Sequence, residues 1–559
     1  MPYIILKLYF FTLLCYAFIM FIRVKTSPNS RGKSVQIVQS IRKGERVSQK
    51  IVRHVGMAYD DEELEKLKLL AESIRIKLEA GNQQFLFKPE EIVKLTNTKT
   101  YADSDYQVNL KNLVEEQRLI SGIHQVYGKL FSESGYERVI KDPAKHKMAV
   151  RIFKDMVLAR IANPESKRAS VDRLEEDFGI TIDLDKVYRM MDKLDDKAID
   201  RLKKITYQNT LDLFGGVIDV IFYDATTLYF ESFTPDELKR NGFSKDGKQN
   251  QPQVLLTLMV TTDGLPIDYQ VFPGDTYEGH TLIPALKEIR TKYNIRRVVL
   301  VADSGMLSAS NIRELEADNF EYIVGARLKN LNNKLKDEIL NQKTPIAEKN
   351  YNNKRLIVSY SAKRALKDKS DREKRIEKLK KKLLKSSNPK NYLSNSGYRK
   401  YLKVKGDISL NEEEIDKDSR WDGLHGVITN SKLKSKYVLE KYNDLWNVEA
   451  AFRVTKHDLS ARPIFHWKPR RINAHMTICF TAYALVKQMQ YRVKLQYKNL
   501  SIEKIRQTLI RVQTSILFDK EKRIRYGLPS RMSKDAKKIY KVFNIKRSMI
   551  PYIIEKLKM

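Results

Sequence analysis

The chain has 559 residues, 42% of them hydrophobic, with 104 Lys+Arg against 69 Asp+Glu and a formal net charge of +35. That length predicts roughly two to four domains with real cores, and the charge favours a polyanionic partner, nucleic acid first and an anionic membrane surface second. The only two cysteines, Cys15 and Cys479, exclude a disulfide framework and a Cys-based zinc site, and fit a reducing compartment.

The chain opens with "MPYIILKLYFFTLLCYAFIMFI", long and apolar enough to read as a signal anchor or a membrane span. The other reading takes residues 1–19 as an extension upstream of the true start at Met20, and this is the expectation adopted. Residues 20–57 then alternate as strands broken by Ser-Pro-Asn and Lys-Gly turns, a small β meander. Residues 60–81 read as an amphipathic helix with an acidic start and a glycine stop. Residues 110–205 read as mostly helical. Within them, 170–194 reads helix, glycine turn, helix. This fits a helix-turn-helix that offers Lys186, Tyr188 and Arg189 to DNA, and it fits a plain helical hairpin equally well.

The pattern changes at Gly215-Gly216. "VIDVIFYDATTLYFES" and "QVLLTLMVTTDG" read as strands, and "LPIDYQVFPGD" pairs with the second through an Asp263-Gly264 turn. Residues 281–292 read as a helix, "RRVVLVADSG" as a buried strand, "LSASNIRELEADN" as a helix and "FEYIVGARL" as a strand. The order β-β-β-α-β-α-β predicts a mixed sheet with helices against it. Residues 327–435 break this rhythm, and 361–405 hold 17 Lys+Arg against 4 Asp+Glu. The run "SDREKRIEKLKKKLLKSS" reads as a solvated helix or a flexible arm. Strand-like pieces flank it, which predicts an insertion with its own sheet. Residues 470–559 read as helical and basic to the end.

Asp224 and Asp303 each end an apolar strand. Alone, either reads as a strand-end cap. In a sheet of this order the two strands can lie parallel and adjacent, which would bring both carboxylates together. Such a pair repels unless a proton or cation lies between them, and oxygen-only ligands suit Mg²⁺ or Mn²⁺. A third carboxylate from a flanking helix would complete a two-ion site, and Glu449 is the candidate. It lies in "YNDLWNVEAAFRVTKHDL", residues 442–459, which read as one helix with Leu445, Val448, Phe452 and Leu459 as its buried stripe. Tyr442, Glu449 and Lys456 would form one row, with Trp446 and Arg453 alongside. An ordinary ion-pair row, such as Glu449 with Arg453, accounts for the same spacing. Two metal ions would support in-line displacement at phosphorus, with Tyr442, Arg453 and Lys456 on the phosphates.

Several stretches together carry a family resemblance: "YDATTLYFES", "GFSKDGKQNQPQVLLTLMVTTDGLPI", "VLVADSGMLSASNI", "YIVGARLK", "DGLHGVITN" and "LWNVEAAFRVTKHDLSARPIFHWKPRRINAHMTICFTAYAL". With them the chain resembles the DDE transposases of bacterial insertion sequences, the insertion-sequence-four superfamily and its sixteen-thirty-four group. The likeness runs from about Met20 to the C-terminal helices and leaves residues 1–19 outside.

The resemblance implies an α/β fold, an RNase H-like mixed-sheet catalytic core interrupted by a β-rich insertion. The implied division is 20–205, an N-terminal DNA-binding region of β meander and helices; 210–326, the first part of the core; 327–435, the basic insertion; 436–485, the last core helices; and 486–559, a C-terminal helical region. Asp224, Asp303 and Glu449 fall on the family's metal-binding acids, which implies two Mg²⁺ or Mn²⁺ ions. Tyr442, Glu449 and Lys456 match a Tyr-Arg-Glu-Lys signature. Its arginine position is Leu445 here, and Arg453 is the proposed substitute. Trp446 would stack on an unpaired base or pack in the core.

The implied partners are double-stranded DNA, both terminal inverted repeats and target, and a second subunit in a homodimer. The implied place is the cytoplasm, on the nucleoid, with no membrane. No Walker loop occurs, so no nucleotide cofactor is expected. His457, His466 and His475, nine apart, lack zinc-ligand spacing. Ser304 and Ser308 lack a histidine base. The alternatives are a DNA-binding copy that has lost its chemistry, a metal-dependent nuclease and a membrane-tethered basic protein.

Overall fold

The computed structural model describes residues 20–26, 32–43, 46–79, 103–231, 234–242, 250–293, 299–303, 308–342, 344–385, 399–405, 407–459, 461–462, 464–497 and 500–556. Residues 1–19, Ser304 and the side chain of His457 lie outside them. The chain divides into two compact units, residues 1–107 and 108–559.

In the first unit, β1 (Met20–Thr26), β2 (Lys33–Lys43) and β3 (Arg46–Ala58) form an antiparallel sheet. Helix α1 (Asp61–Glu79) covers it, with Leu64 and Ala71 packed on Val35, Ile37 and Ala58. The meander and helix follow from the alternation and the acidic start of that segment.

The second unit begins with β4 (Leu113–Ile120) and the helices α2 (Gly122–Glu133), α3 (Lys147–Ala162), α4 (Lys167–Phe178), α5 (Leu184–Met191) and α6 (Asp196–Leu213). Gly179, at φ +66°, ends α4 and makes the turn to α5. The face of α5 with Val187, Met190 and Met191 is buried, and Tyr188 is engaged by His466 edge-on and by Arg471 at 4.6 Å. Lys186 pairs with Asp183 at 2.7 Å. Tyr188 is therefore taken up in packing rather than offered to DNA, whereas Arg189 is exposed.

The core follows as β5 (Val220–Tyr229), β6 (Gln253–Val260), β7 (Pro266–Pro273), α7 (Leu282–Tyr293), β8 (Val299–Ala302), α8 (Ala309–Ala317) and β9 (Glu321–Gly325), and then β10 (Ile346–Tyr351) and β11 (Lys354–Tyr360). Next come α9 (Ala362–Lys385), β12 (Leu402–Lys405), β13 (Asp407–Leu410), β14 (Leu424–Thr429), α10 (Ser435–Asn443) and α11 (Trp446–Arg453). The chain finishes with α12 (Pro469–Gln496), α13 (Ile502–Ile510), β15 (Gln513–Asp519), β16 (Ile524–Pro529), α14 (Lys534–Val542) and β17 (Tyr552–Lys556).

The central sheet has eight strands in the order β10-β11-β14-β9-β8-β5-β6-β7. Strands β5, β6 and β7 pair antiparallel, and β5, β8 and β9 run parallel. The result is a mixed α/β fold with a large mixed sheet. All eight residues of β6 are buried, as a strand covered on both faces requires. Gly264, at φ +74°, lets the β6–β7 connection turn tightly.

Two expectations are corrected. The insertion does not build only its own sheet: β10, β11 and β14 extend the central sheet through β14 against β9. The open backbone edge of β9 supplies the template. At Gly426, the absence of a side chain lets Leu328 pack close, since a Cβ there would stand 2.4 Å from Leu328 Cδ2. A separate β12–β13 hairpin remains. The C-terminal region is not helical to its end either. β15, β16 and β17 form an antiparallel sheet that β4 joins, so that Leu119 pairs with Thr514.

Candidate active site

The parallel pairing of β5 with β8 matches Val220 with Val299, Ile221 with Leu300 and Phe222 with Val301. The ladder ends there, two residues short of Asp224 on one strand and two short of Asp303 on the other. Asp303 directly follows β8, but Asp224 is the fifth of the ten residues of β5, which corrects the strand-end expectation for it: the strand runs on through Tyr229 because residues 225–228 are buried as well. Asp224 is half-buried and Asp303 is exposed.

The segment after the insertion is not one helix. α10 stops at Asn443, and Leu445 N–H, Asn447 N–H and Val448 N–H each bond three residues back rather than four. This tighter turn joins α10 to α11. After Arg453 the chain widens to a π-helical turn, Val454–Asp458, and Leu459 N–H bonds to Val454 O at 2.8 Å. The straight row expected for Tyr442, Glu449 and Lys456 assumed 3.6 residues per turn throughout, so it does not survive these two changes of pitch. Helix α11 packs on β5 and β6 through Val448, Ala451 and Phe452, its buried residues. The loop beyond it returns to the end of β5, where Ile464 N–H donates to Tyr229 O.

Tyr442 is brought to Asp303: its hydroxyl donates to Asp303 Oδ1 at 3.4 Å. Its ring lies tilted on His425 of β14, with centroids 5.0 Å apart. Burial pushes the Tyr442 phenol up, and the Asp303 carboxylate adds to that; Glu449 acts in the same direction and Arg364 against it. His425 is held down at about 4, by burial first and by the Arg364 guanidinium second, against Asp303 and Asp368. His425 and Arg364 are thus part of this site. No local signal singled them out, because each reaches Asp303 only through the insertion.

Glu449 is exposed on α11. Among the described residues, no three His, Cys, Asp or Glu side chains are grouped so as to hold a metal ion. The donor chemistry of the two aspartates suits a hard cation, but the three-carboxylate set is not gathered among the described residues. Trp446 is 59% exposed, which rules out core packing for it. Trp446 and Arg453 line a cleft of about 440 Å³ with Asn447, Asp263, Lys487 and Lys494. Asp224, Asp303, Tyr442 and Glu449 do not line it. Arg453 is exposed and Lys456 half-buried.

His475 is buried in a polar cluster, 3.1 Å from Lys167 Nζ and 3.1 Å from Ala461 O. Ser308 caps α8 by accepting from Asn311 N–H at 3.1 Å. Neither takes part in the site. No helix among the described residues is long and apolar enough to cross a membrane.

Residues 215–485 match the family model described as a transposase DDE domain, and Asp224, Asp303 and Glu449 all fall inside the match. No curated protein matches the chain. Among solved structures, the chain is similar to a piggyBac transposase synaptic complex with hairpin DNA, at 9% identity over 70% of this chain and 78% of that one, with a TM-score of 0.37. It is also similar to a Mos1 transposase paired-end complex with left transposon end, at 15% identity over 47% of this chain and 77% of that one, with a TM-score of 0.14. Superpositions this loose carry no weight, whereas the match over residues 215–485 supports a DDE transposase family for this chain.

Proposed function

We propose that this chain is the transposase of an insertion sequence, of the insertion-sequence-four superfamily and its sixteen-thirty-four group. It binds the terminal inverted repeats of its element, cuts the ends and joins the freed 3′-hydroxyl to target DNA. The reading is carried by one observation: a transposase DDE domain matches residues 215–485, within which β5 and β8, the strands that lead to Asp224 and Asp303, are adjacent and parallel.

In this reading Asp224, Asp303 and Glu449 are the catalytic acids and hold two Mg²⁺ or Mn²⁺ ions. When bound, such ions supply charge stabilisation for in-line displacement at phosphorus. The chain's own residues do the rest. The Tyr442 hydroxyl orients the Asp303 carboxylate. Lys456, and Arg453 from the neighbouring cleft, neutralise phosphates of the strand being cut, and Trp446 in that cleft stacks on an unpaired base. Glu449 has to approach the strand ends when DNA binds. In cleavage, water attacks phosphorus and the 3′ oxygen leaves; in transfer, that 3′-hydroxyl attacks a target phosphorus and displaces the next 3′ oxygen. Two subunits pair two ends, and no nucleotide is consumed.

The test incubates the purified chain with plasmid carrying the gene's own flanking DNA, with and without Mg²⁺, beside Glu449→Gln. Cleavage at the element's ends that needs both Mg²⁺ and Glu449, with joined products, is the expected result. Cleavage without joining would indicate a nuclease. The ungathered carboxylates favour one second reading, a DNA-binding copy without chemistry. Binding without cleavage under any divalent metal would establish it.

A further inference from the structure

We propose that the outer face of α9 is a rail for the phosphate backbone of duplex DNA running into the site at Asp303. The partner rests on the transposase reading; the surface itself does not. Along the inner face of α9, Ala365, Asp368, Arg372, Ile376, Leu379 and Leu383 are buried or half-buried. Asp368 accepts from Gly423 N–H at 3.0 Å, and Arg372 pairs with Asp422. Leu379 packs with Tyr401 and Leu402. The helix is therefore fixed, not a loose arm.

The opposite face is a line of lysines. Lys363, Lys367, Lys374, Lys378 and Lys381 are all exposed. At ~100° per residue they fall within about 60° of one another, over a length of about 27 Å. Lys381 pairs with Glu377 at 2.6 Å. Among the described residues, the other four pair with no carboxylate, whereas Lys369, off the line, pairs with Glu373 at 3.9 Å. Like charges stacked this way destabilise a helix, and nothing in the packing of α9 needs them.

The rail begins at the site. Arg364, in the first turn of α9, lines one cleft with His425, whose ring lies 5.0 Å from the Tyr442 ring that reaches Asp303. Duplex DNA carries one charge per ~1.7 Å of axis, so about 27 Å of duplex offers roughly 16 phosphates, of which a share faces the helix. Five flexible ammonium groups spread over that length can each reach a phosphate of the facing backbone. They contact backbone and not bases, so the rail holds DNA of any sequence.

The test compares two double variants of the full chain that remove equal charge from the same helix: K374Q/K378Q on the rail, and K369Q/K380Q off it. Affinity for a random duplex is measured by anisotropy in EDTA from low to moderate salt. Each lost phosphate contact lowers the slope of log affinity against log salt by ~0.9. The rail variant is expected to lose roughly 2 from that slope, and the off-rail variant to keep it. Equal losses from both, or none from either, would overturn the proposal. So would a rail variant that keeps DNA but loses phosphatidylserine vesicles, which would assign the face to a membrane. Binding in EDTA is independent of cleavage, so the rail and the transposase reading can fail separately.

Discussion

The phenol of Tyr442 donates to Asp303 at 3.4 Å. Tyr442→Phe removes its donated hydrogen bond, worth ~1 kcal/mol, and is expected to slow single-turnover DNA cleavage several-fold while leaving DNA affinity unchanged. Trp446 makes the opposite case. Its exposure predicts that Trp446→Ala shifts the urea midpoint little, within ~0.5 kcal/mol, yet weakens binding to a DNA end with unpaired bases by ~1–3 kcal/mol. A variant that unfolds early instead would return Trp446 to a structural role. The histidines set a pH dependence. His425 at about 4 and His466 at about 3 both lie below the usual value, chiefly through burial. The unfolded chain takes up these protons first, below pH ~6.5. Their stabilisation is thus present above that pH and lost as pH falls towards 4, by at most ~1.4 kcal/mol per unit for each residue. Urea titrations at pH 7 and pH 5 read it, and His425→Asn with His466→Asn should flatten the difference.

Elements meet their demands through local chemistry. The β6–β7 hairpin needs Gly264 in the left-handed region, where a side chain costs ~1–2 kcal/mol. An added Cβ would also stand 3.1 Å from Lys487 Nζ. Gly264→Ala is therefore expected to lower unfolding free energy by about that amount, measured by denaturant titration, without changing the fold. The Asp263-Gly264 turn was legible because the dipeptide itself carries the geometry. The breaks in pitch on either side of α11 were not. The apolar spacing of Leu445, Val448, Phe452 and Leu459 still satisfies burial, because a tight turn and a wide one change pitch in opposite senses. Periodicity alone cannot separate that from a straight helix.

At the scale of the molecule, β4 is completed by β15, nearly 400 residues away in the chain. Truncation after Val512 removes that partner and is expected to lose hydrogen-exchange protection in residues 113–120 and cooperative unfolding of residues 108–512. Retained protection would show that β4 holds without the C-terminal strands. The same distance explains why the pairing could not be read from either segment: each is a short amphipathic strand, and only closure of the chain brings them edge to edge.

The sequence by itself determined the order of elements from Val220 to Gly325, the place of Asp303 at the end of β8, and the basic character of α9. These rest on burial and propensity, which act locally. The tertiary structure decided the parallel pairing of β5 with β8, the mid-strand place of Asp224, the joining of Tyr442, His425 and Arg364 near Asp303, and the turning of Trp446 and Arg453 into a different cleft. It also turned a run of charge into a one-sided face. Each of these depends on which strand edge or helix face is left open once the core has closed, and backbone pairing across long loops leaves no period in the sequence.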